Sequence, residues 1–351
     1  MTQKIWHGIG LMSGTSLDGI DLVYVEFISD KDYSFEILQA KTLNYSEYWK
    51  NTLKNAFDET SENLTDLSTK YGRFLGQQIS AFIDNNKIVN IDFIASHGHT
   101  IFHNPAQGLT LQIGDGVQIA EETGCKVVCD FRAQDVALGG QGAPLVPVGD
   151  ALLFTDYDYC LNLGGFSNVS FNEKGIRKAY DICPVNIVLN QLVKPLGFDY
   201  DDGGALAASG QLHKELLDKL NTLSFYKDTQ PKSLGYEFVV ETINPILSQF
   251  KIPTRDLLRT FTEHTAQQLA LKLSPKGTVL VTGGGAYNTF LIKRLKALSD
   301  CEIIIPSDEI IDFKEALIFA FLGLLRLENK VNCLKSVTGA SRDHSSGDIF
   351  G

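Results

Sequence analysis

Twice along this chain an apolar run breaks at a glycine and hydroxyl turn and then resumes, once near the start and once near the middle. The first instance is Ile5–Met12, a turn reading SGTSLDG, and Ile20–Ile28. The second is Tyr159–Leu163, a turn holding Gly164 and Gly165, and Asn168–Phe171. Short runs rich in β-branched and aromatic residues read as strands, and so short a joint reads as a hairpin. A chain of 351 residues can form two domains with separate cores. One such strand pair opening each half predicts a duplicated α/β architecture, with a cleft between the halves.

The remaining pattern fills in that frame. Phe35–Leu43 reads as a third strand, followed by helices over Ser46–Phe57 and Leu64–Asn86. In the second helix Leu67, Tyr71, Phe74, Leu75, Ile79 and Phe82 share one face. Asp92–Ser96 and Lys126–Phe131 read as strands on either side of a helix at Val117–Thr123. Gly139, Gly140, Gly142, Pro144 and Pro147 make Arg132–Pro147 the expected crossing between domains. The expected division is therefore 1–132 with a tail of about 336–351 as one domain, and 133–335 as the other. In the second half a long helix is expected at Arg255–Leu273, a strand at Thr278–Thr282 and a last amphipathic helix at Lys314–Leu327.

Composition narrows the function. A net charge of -11 with no compensating basic run argues against nucleic acid as a partner. It leaves ATP open, because a nucleotide is held by local amides and a metal rather than by global charge. The N-terminus lacks the basic start and long apolar run of a signal peptide. Ala316–Leu325 is too short to span a bilayer, so no membrane association is expected. Six cysteines without a CxxC pair suit reduced thiols and a cytoplasmic location. The apolar second half makes a homodimer plausible.

Three segments have the chemistry of phosphate loops. Met12–Asp21 combines glycines, hydroxyls and the carboxylates of Asp18 and Asp21, which suit Mg²⁺ held through water. Leu161–Asn168 repeats the plan, and Val281–Asn288 runs from a strand through Gly283, Gly284 and Gly285 toward a helix N-terminus. Any one alone reads more simply as a tight turn. The three together are how an actin-like kinase clamps ATP, and neither a Walker loop nor a GxGxxG fingerprint competes with them.

GLMSGTSLDGID (Gly10–Asp21), SHGHTIFHNP (Ser96–Pro105), LQIGDG (Leu111–Gly116) and DFRAQDVALGGQGAPLVP (Asp130–Pro147) come in the order and spacing of a known family. LNLGGFSNVS, VTGGGAYN, EALIFAFLG (Glu315–Gly323) and SVTGASR (Ser336–Arg342) continue the match. On these motifs the chain resembles the anhydro-N-acetylmuramic acid kinases from residue 10 to residue 342. The resemblance implies a two-domain, actin-like (duplicated ribonuclease H-like) sugar kinase fold. It also implies an ATP- and Mg²⁺-dependent enzyme of cell-wall recycling, which opens the 1,6-anhydro ring of its sugar with water and phosphorylates O6. Carried over by position, Ser13, Gly14, Thr15, Ser16, Asp18, Gly19, Asp21, Gly164, Gly165, Asn168, Gly283, Gly284, Gly285 and Asn288 would contact ATP. Asp181 would be the catalytic base. His97, Arg132, Pro184, Asn186 and Glu315 would face the sugar, and Asp18 would hold the metal, with Asp21 nearly as good.

The chemistry fits these residue types. An inverting glycosidase needs one carboxylate to activate water and a second to protonate the leaving oxygen. Here the γ-phosphoryl group can take the leaving oxygen, so one carboxylate suffices as base. Asp181 follows the strand-like Ile176–Tyr180 and is expected at a strand end; without the resemblance a turn or helix cap would be the better explanation. Arg132 suits the sugar's lactyl carboxylate, or else an ordinary ion pair with Asp135. Glu315 is read as opening a helix, where the dipole favours a carboxylate.

Two departures from the family pattern open other readings. Where the family carries DTGPGN, this chain has DICPVN over Asp181–Asn186, with Asn190 where an aspartate is common. The added bulk is expected near the sugar, and it is the sole support for a non-catalytic ATP- or sugar-binding regulator. His99 stands where glutamine is usual, making an HxH with His97 that a metallohydrolase would use for zinc.

Overall fold

The computed structural model describes residues 3–14, 17–227, 233–274 and 276–351. The strands are β1 (Lys4–Ser13), β2 (Ile20–Ser29), β3 (Tyr33–Leu43), β4 (Phe93–Asn104), β5 (Leu109–Ile113), β6 (Val127–Cys129), β7 (Tyr159–Leu163), β8 (Phe166–Glu173), β9 (Ile176–Pro184), β10 (Thr278–Thr282), β11 (Glu302–Ile304) and β12 (Asp348–Phe350). They form two sheets, ordered β12-β6-β4-β1-β2-β3, with β5 on β4, and β11-β10-β7-β8-β9. In the first, β1 pairs antiparallel with β2 and β2 with β3, while β4 returns parallel on the other side of β1 and β6 lies parallel to β4. The second repeats the plan: β7, β8 and β9 meander antiparallel, and β10 and β11 add in parallel beside β7. Parallel neighbours need a crossover, which the helices between them supply. The duplicated α/β fold expected from the paired glycine turns is thus present in the strand order itself.

The chain divides into two units, Met1–Leu153 with Phe313–Gly351, and Phe154–Asp312. These limits differ from the division expected at Arg132 and near residue 336. The segment after Arg132 and most of helix Asp308–Leu327 travel with the first unit, and packing explains why. Gly8 and Gly10 keep one face of β1 flat, and a Cβ built on Gly10 would lie 2.1 Å from the Ala316 carbonyl oxygen. The helix therefore rests directly on the strand, Phe321 meets Phe27 at 5.7 Å between ring centres, and Gly149 leaves room for Ile318. Ile9, Leu11, Leu22 and Ile94 bury the other face of that sheet against Tyr71, Leu75, Ile79 and Phe82 of helix Ser61–Asn86. That helix is capped by Thr60, whose side chain accepts from Asn63 N.

The second unit has its own core. Leu161, Leu163, Val169, Val279 and Val281 of its sheet pack with Leu258, Phe261 and Leu269 of helix Thr254–Ala270, and with Val188 and Leu189 of helix Asn186–Val193. On β8 Asn168 is exposed between buried Ser167 and Val169, and on β9 Asp181 is half-buried.

Candidate active site

Asp181 sits inside β9, opposite Asn168 of β8, rather than at the strand end the sequence suggested. The reason is a bulge. Ser167 pairs with Cys183 while Asn168 pairs with Asp181, so Ile182 is an extra residue in β9. Ser167 closes the irregularity: its hydroxyl accepts from Cys183 N at 3.2 Å and donates to the Cys183 carbonyl at 3.0 Å. The Asp181 carboxylate accepts one backbone bond, from Leu234 N to Oδ2 at 2.7 Å. Burial raises its pKa above the ordinary aspartate value, and the Leu234 N–H pulls weakly the other way.

The bulge also disposes of the expected crowding at the sugar. Ile182, Cys183 and Val185 are each 0% exposed and belong to the core of the second unit. The three residues that break the family's DTGPGN pattern therefore point into the fold, and the added bulk is spent on packing. Pro184 is buried beside them.

The glycine turns of this unit converge around Leu163. Val185 N donates to the Gly165 carbonyl at 2.8 Å and Asn186 N to Gly164 at 3.3 Å, while Asn186 Nδ2 donates to the Leu163 carbonyl at 3.1 Å. Gly283 is required by its φ of +80° and Gly285 by contact with Leu163. Gly164, Gly165 and Gly284 are required by neither, since a Cβ on any of them would meet nothing closer than 3.4 Å. The fold leaves these three unexplained, as expected where backbone must approach a ligand. Gly284→Ala should leave thermal stability unchanged and weaken ATP binding about tenfold or more, read by calorimetry; equal affinity would remove Gly284 from the site. Asn288 is 8% exposed, and its Oδ1 accepts from Leu291 N at 2.9 Å. It caps helix Thr289–Leu298, so its Oδ1 is committed to the fold.

In the first unit the turn after β1 is described except for Thr15 and Ser16, which lie outside the described residues. Leu17 N donates to the Gly14 carbonyl at 3.3 Å, and Gly19 approaches the Leu43 carbonyl so closely that a Cβ would stand 2.7 Å from it. Asp18 is exposed, and Asp21 accepts from Thr42 Oγ1 at 2.6 Å. Ser13 differs from the expectation: its hydroxyl lies 2.6 Å from Tyr45 Oη, 2.9 Å from His99 Nδ1 and 3.1 Å from Tyr71 Oη, all buried. Only its backbone remains for a nucleotide.

His97 and His99 do not act as a pair. His97 faces the Gly98 carbonyl through Nδ1 at 3.0 Å, and its Nε2 receives Arg132 Nε and Nη2 at 3.1 and 2.9 Å. A ring whose lone pair is already held by a guanidinium is a poor place for a metal cation, so the zinc reading of HxH fails on geometry. Burial and the Arg132 charge both lower the His97 pKa well below its ordinary value, and burial lowers that of His99 to about 4. Both rings are neutral at physiological pH. Arg132 Nη1 donates to the Gly142 carbonyl at 2.6 Å, and no ion pair with Asp135 forms among the described residues. Three N–H groups are engaged in this way, leaving one on each terminal nitrogen for an anion.

Glu315 is not at a helix start, because the helix begins at Asp308 and the dipole argument does not apply. It is exposed, but its surroundings are crowded. Desolvation raises its pKa, Arg132 draws it down, and Asp21 adds to the rise. Beside it Lys314 forms a buried ion pair with Asp150 at 2.7 Å, which motif reasoning missed. The one available signal was a lysine set just before a long apolar run.

A family model and curated relatives agree with one another. A family model described as anhydro-N-acetylmuramic acid kinase matches residues 7–351. The anhydro-N-acetylmuramic acid kinase of Francisella tularensis subsp. novicida (strain U112) is 35% identical, covering 97% of this chain and 97% of that protein. The enzyme of the same name from Clostridioides difficile (strain 630) is also 35% identical, covering 98% of each. Among solved structures, component A of the Acidaminococcus fermentans (R)-2-hydroxyglutaryl-CoA dehydratase is similar at a TM-score of 0.46 and 15% identity, over 90% of this chain and 96% of that one.

Proposed function

The chain belongs to the anhydro-N-acetylmuramic acid kinase family, and from that membership we propose that it converts 1,6-anhydro-N-acetylmuramic acid, water and ATP into N-acetylmuramic acid 6-phosphate and ADP, a step of peptidoglycan recycling. The observation that carries the reading is the bulged strand at Asp181. It gives a partly desolvated carboxylate in the sheet whose turns carry three glycines that the fold itself does not need.

In this reaction Asp181 accepts a proton from water as the water oxygen bonds to the anomeric carbon. The bond from that carbon to O6 breaks, and the O6 electron pair forms the new bond to the γ-phosphorus. The bond from that phosphorus to the bridging oxygen of ADP breaks in turn, and the Asp181 proton is then lost to solvent. A desolvated carboxylate suits this role, since its higher pKa makes it a better base. In the second unit Gly164, Gly165 and Gly284 let backbone come close to phosphate oxygens.

In the first unit Asp18 and Asp21 offer the hard carboxylate oxygens that Mg²⁺ prefers, Asp18 exposed and Asp21 held by Thr42. When bound, Mg²⁺ neutralises charge on the transferring phosphate. Arg132, oriented by His97, reads the lactyl carboxylate with its two remaining N–H groups. Arg132→Lys keeps the charge but loses the fork, so KM for the sugar should rise about tenfold with ATP affinity unchanged. An unaltered KM would place the carboxylate elsewhere.

Mass spectrometry of products from Mg-ATP and the anhydro sugar tests the whole reading. The sugar product should be heavier by one water and one phosphoryl group, with ADP in equal amount. Unchanged sugar despite ATP binding would overturn it.

A further inference from the structure

Apart from the site above, three metal-ligating side chains of different kinds converge behind the loop that carries Arg132. Asp135 lies in the short helix Ala133–Ala137, while Cys333 and His344 face each other across an isolated antiparallel bridge. One ligand atom of each lies within 4.8 Å of the other two, and the residues are 0%, 1% and 6% exposed. Cys333 Sγ is 3.0 Å from Asp135 Oδ1, and His344 Nε2 is 3.6 Å from the same oxygen. Metal–ligand bonds of about 2.0–2.3 Å at tetrahedral angles put donor atoms roughly 3.3–3.6 Å apart, close to this spacing.

The histidine shows what is missing. Its Nδ1 lies 3.2 Å from the Arg342 carbonyl, which can only accept, so Nδ1 carries the ring hydrogen. With that hydrogen on Nδ1, Nε2 points at the Asp135 carboxylate at a distance too long for a hydrogen bond. Among the described residues this buried nitrogen has no hydrogen-bond partner. A buried acceptor facing an anion is unfavourable until a cation stands between them. The carboxylate is otherwise well placed: Oδ1 accepts from Thr338 Oγ1 at 2.8 Å and Oδ2 from Gly142 N at 2.7 Å.

We propose that Asp135, Cys333 and His344 bind a divalent transition-metal ion of the zinc type. Thiolate, imidazole and carboxylate together select such an ion over Mg²⁺ or Ca²⁺, which take oxygen donors. On binding, Cys333 Sγ–H gives its proton to solvent, and the freed electron pair makes the bond to the metal. The metal is structural. It ties the 333–344 segment to the 135–142 loop, and through the Gly142 carbonyl to Arg132.

Cobalt titration of the full chain, stripped of metal by a chelator, tests the site. One Co²⁺ per chain should bind with a thiolate-to-cobalt charge-transfer band, and Zn²⁺ should displace it. Cys333→Ser should abolish the band and His344→Gln should weaken uptake at least about tenfold, while Cys129→Ser keeps both. Circular dichroism of each variant separates loss of the site from loss of the fold. An unaltered chain that takes up no Co²⁺, or a band that survives in folded Cys333→Ser, overturns the proposal.

Discussion

Asp181→Asn is expected to lower kcat by about 10²–10⁴-fold, the usual contribution of a general base, while ATP affinity stays at the parent value. Asparagine keeps an acceptor for the Leu234 N–H, so the bulge and the neighbouring core residues have no reason to move. The sign of the pH dependence follows from the raised pKa of the carboxyl. The base works only when ionised, so the parent rate should fall as pH drops through that pKa. The fall comes at a higher pH than for an unperturbed aspartate near 3.9. A carboxyl whose folded pKa lies above its unfolded value favours the fold at low pH and loses that contribution as pH rises through the folded pKa. At neutral pH the ionised Asp181 is therefore a cost to the fold, and the asparagine variant should melt slightly higher than its parent. A kcat within threefold of the parent would assign the base to another residue.

Gly10→Ala should be the most damaging single methyl in the chain's first sheet. The new Cβ would lie 2.1 Å from the Ala316 carbonyl and 2.9 Å from the Ala320 methyl, and backbone cannot swing aside as a side-chain tip can. The helix has to lift off β1, at a cost of about 3 kcal/mol or more. This would appear as a clear drop in the urea midpoint. Gly124→Ala is the matched control. Its φ of +66° strains an L-residue, but nothing lies within 4 Å, so it should cost only about 1 kcal/mol. Equal midpoints for the two variants would show that the helix repacks without penalty.

Much of the scaffold was legible because its signals are local. The apolar, β-branched runs of β1, β2 and β10 and the helical stripe from Leu67 to Phe82 depend on nothing outside their own segments. The site was legible in part. Gly164, Gly165 and Gly284 are exposed by what the fold does not require, which supports the turn reading. Ser13 went the other way, because tertiary partners decide whether a polar group is free. Tyr45, Tyr71 and His99 come from three distant segments to claim one hydroxyl. The meaning of Ile182, Cys183 and Val185 was hidden for a similar reason. A one-residue bulge changes which way a strand's side chains face, and no local pattern announces it. The bulge's clamp, Ser167, carried no signal beyond its place in the glycine turn.

The order in which the polypeptide closes its two units bears on its life at the ribosome. The second unit is one unbroken stretch, so all of it is synthesised before residue 313. The first cannot finish until its covering helix and the edge strand β12, which follow the second unit along the chain, have been made. Until then Gly8, Gly10 and the apolar side chains on that sheet face have no lid, a state that favours chaperone capture or self-association. Limited proteolysis of nascent chains stalled at successive lengths should find the middle of the chain protected before its beginning. A protected beginning in chains stalled before residue 313 would refute that order.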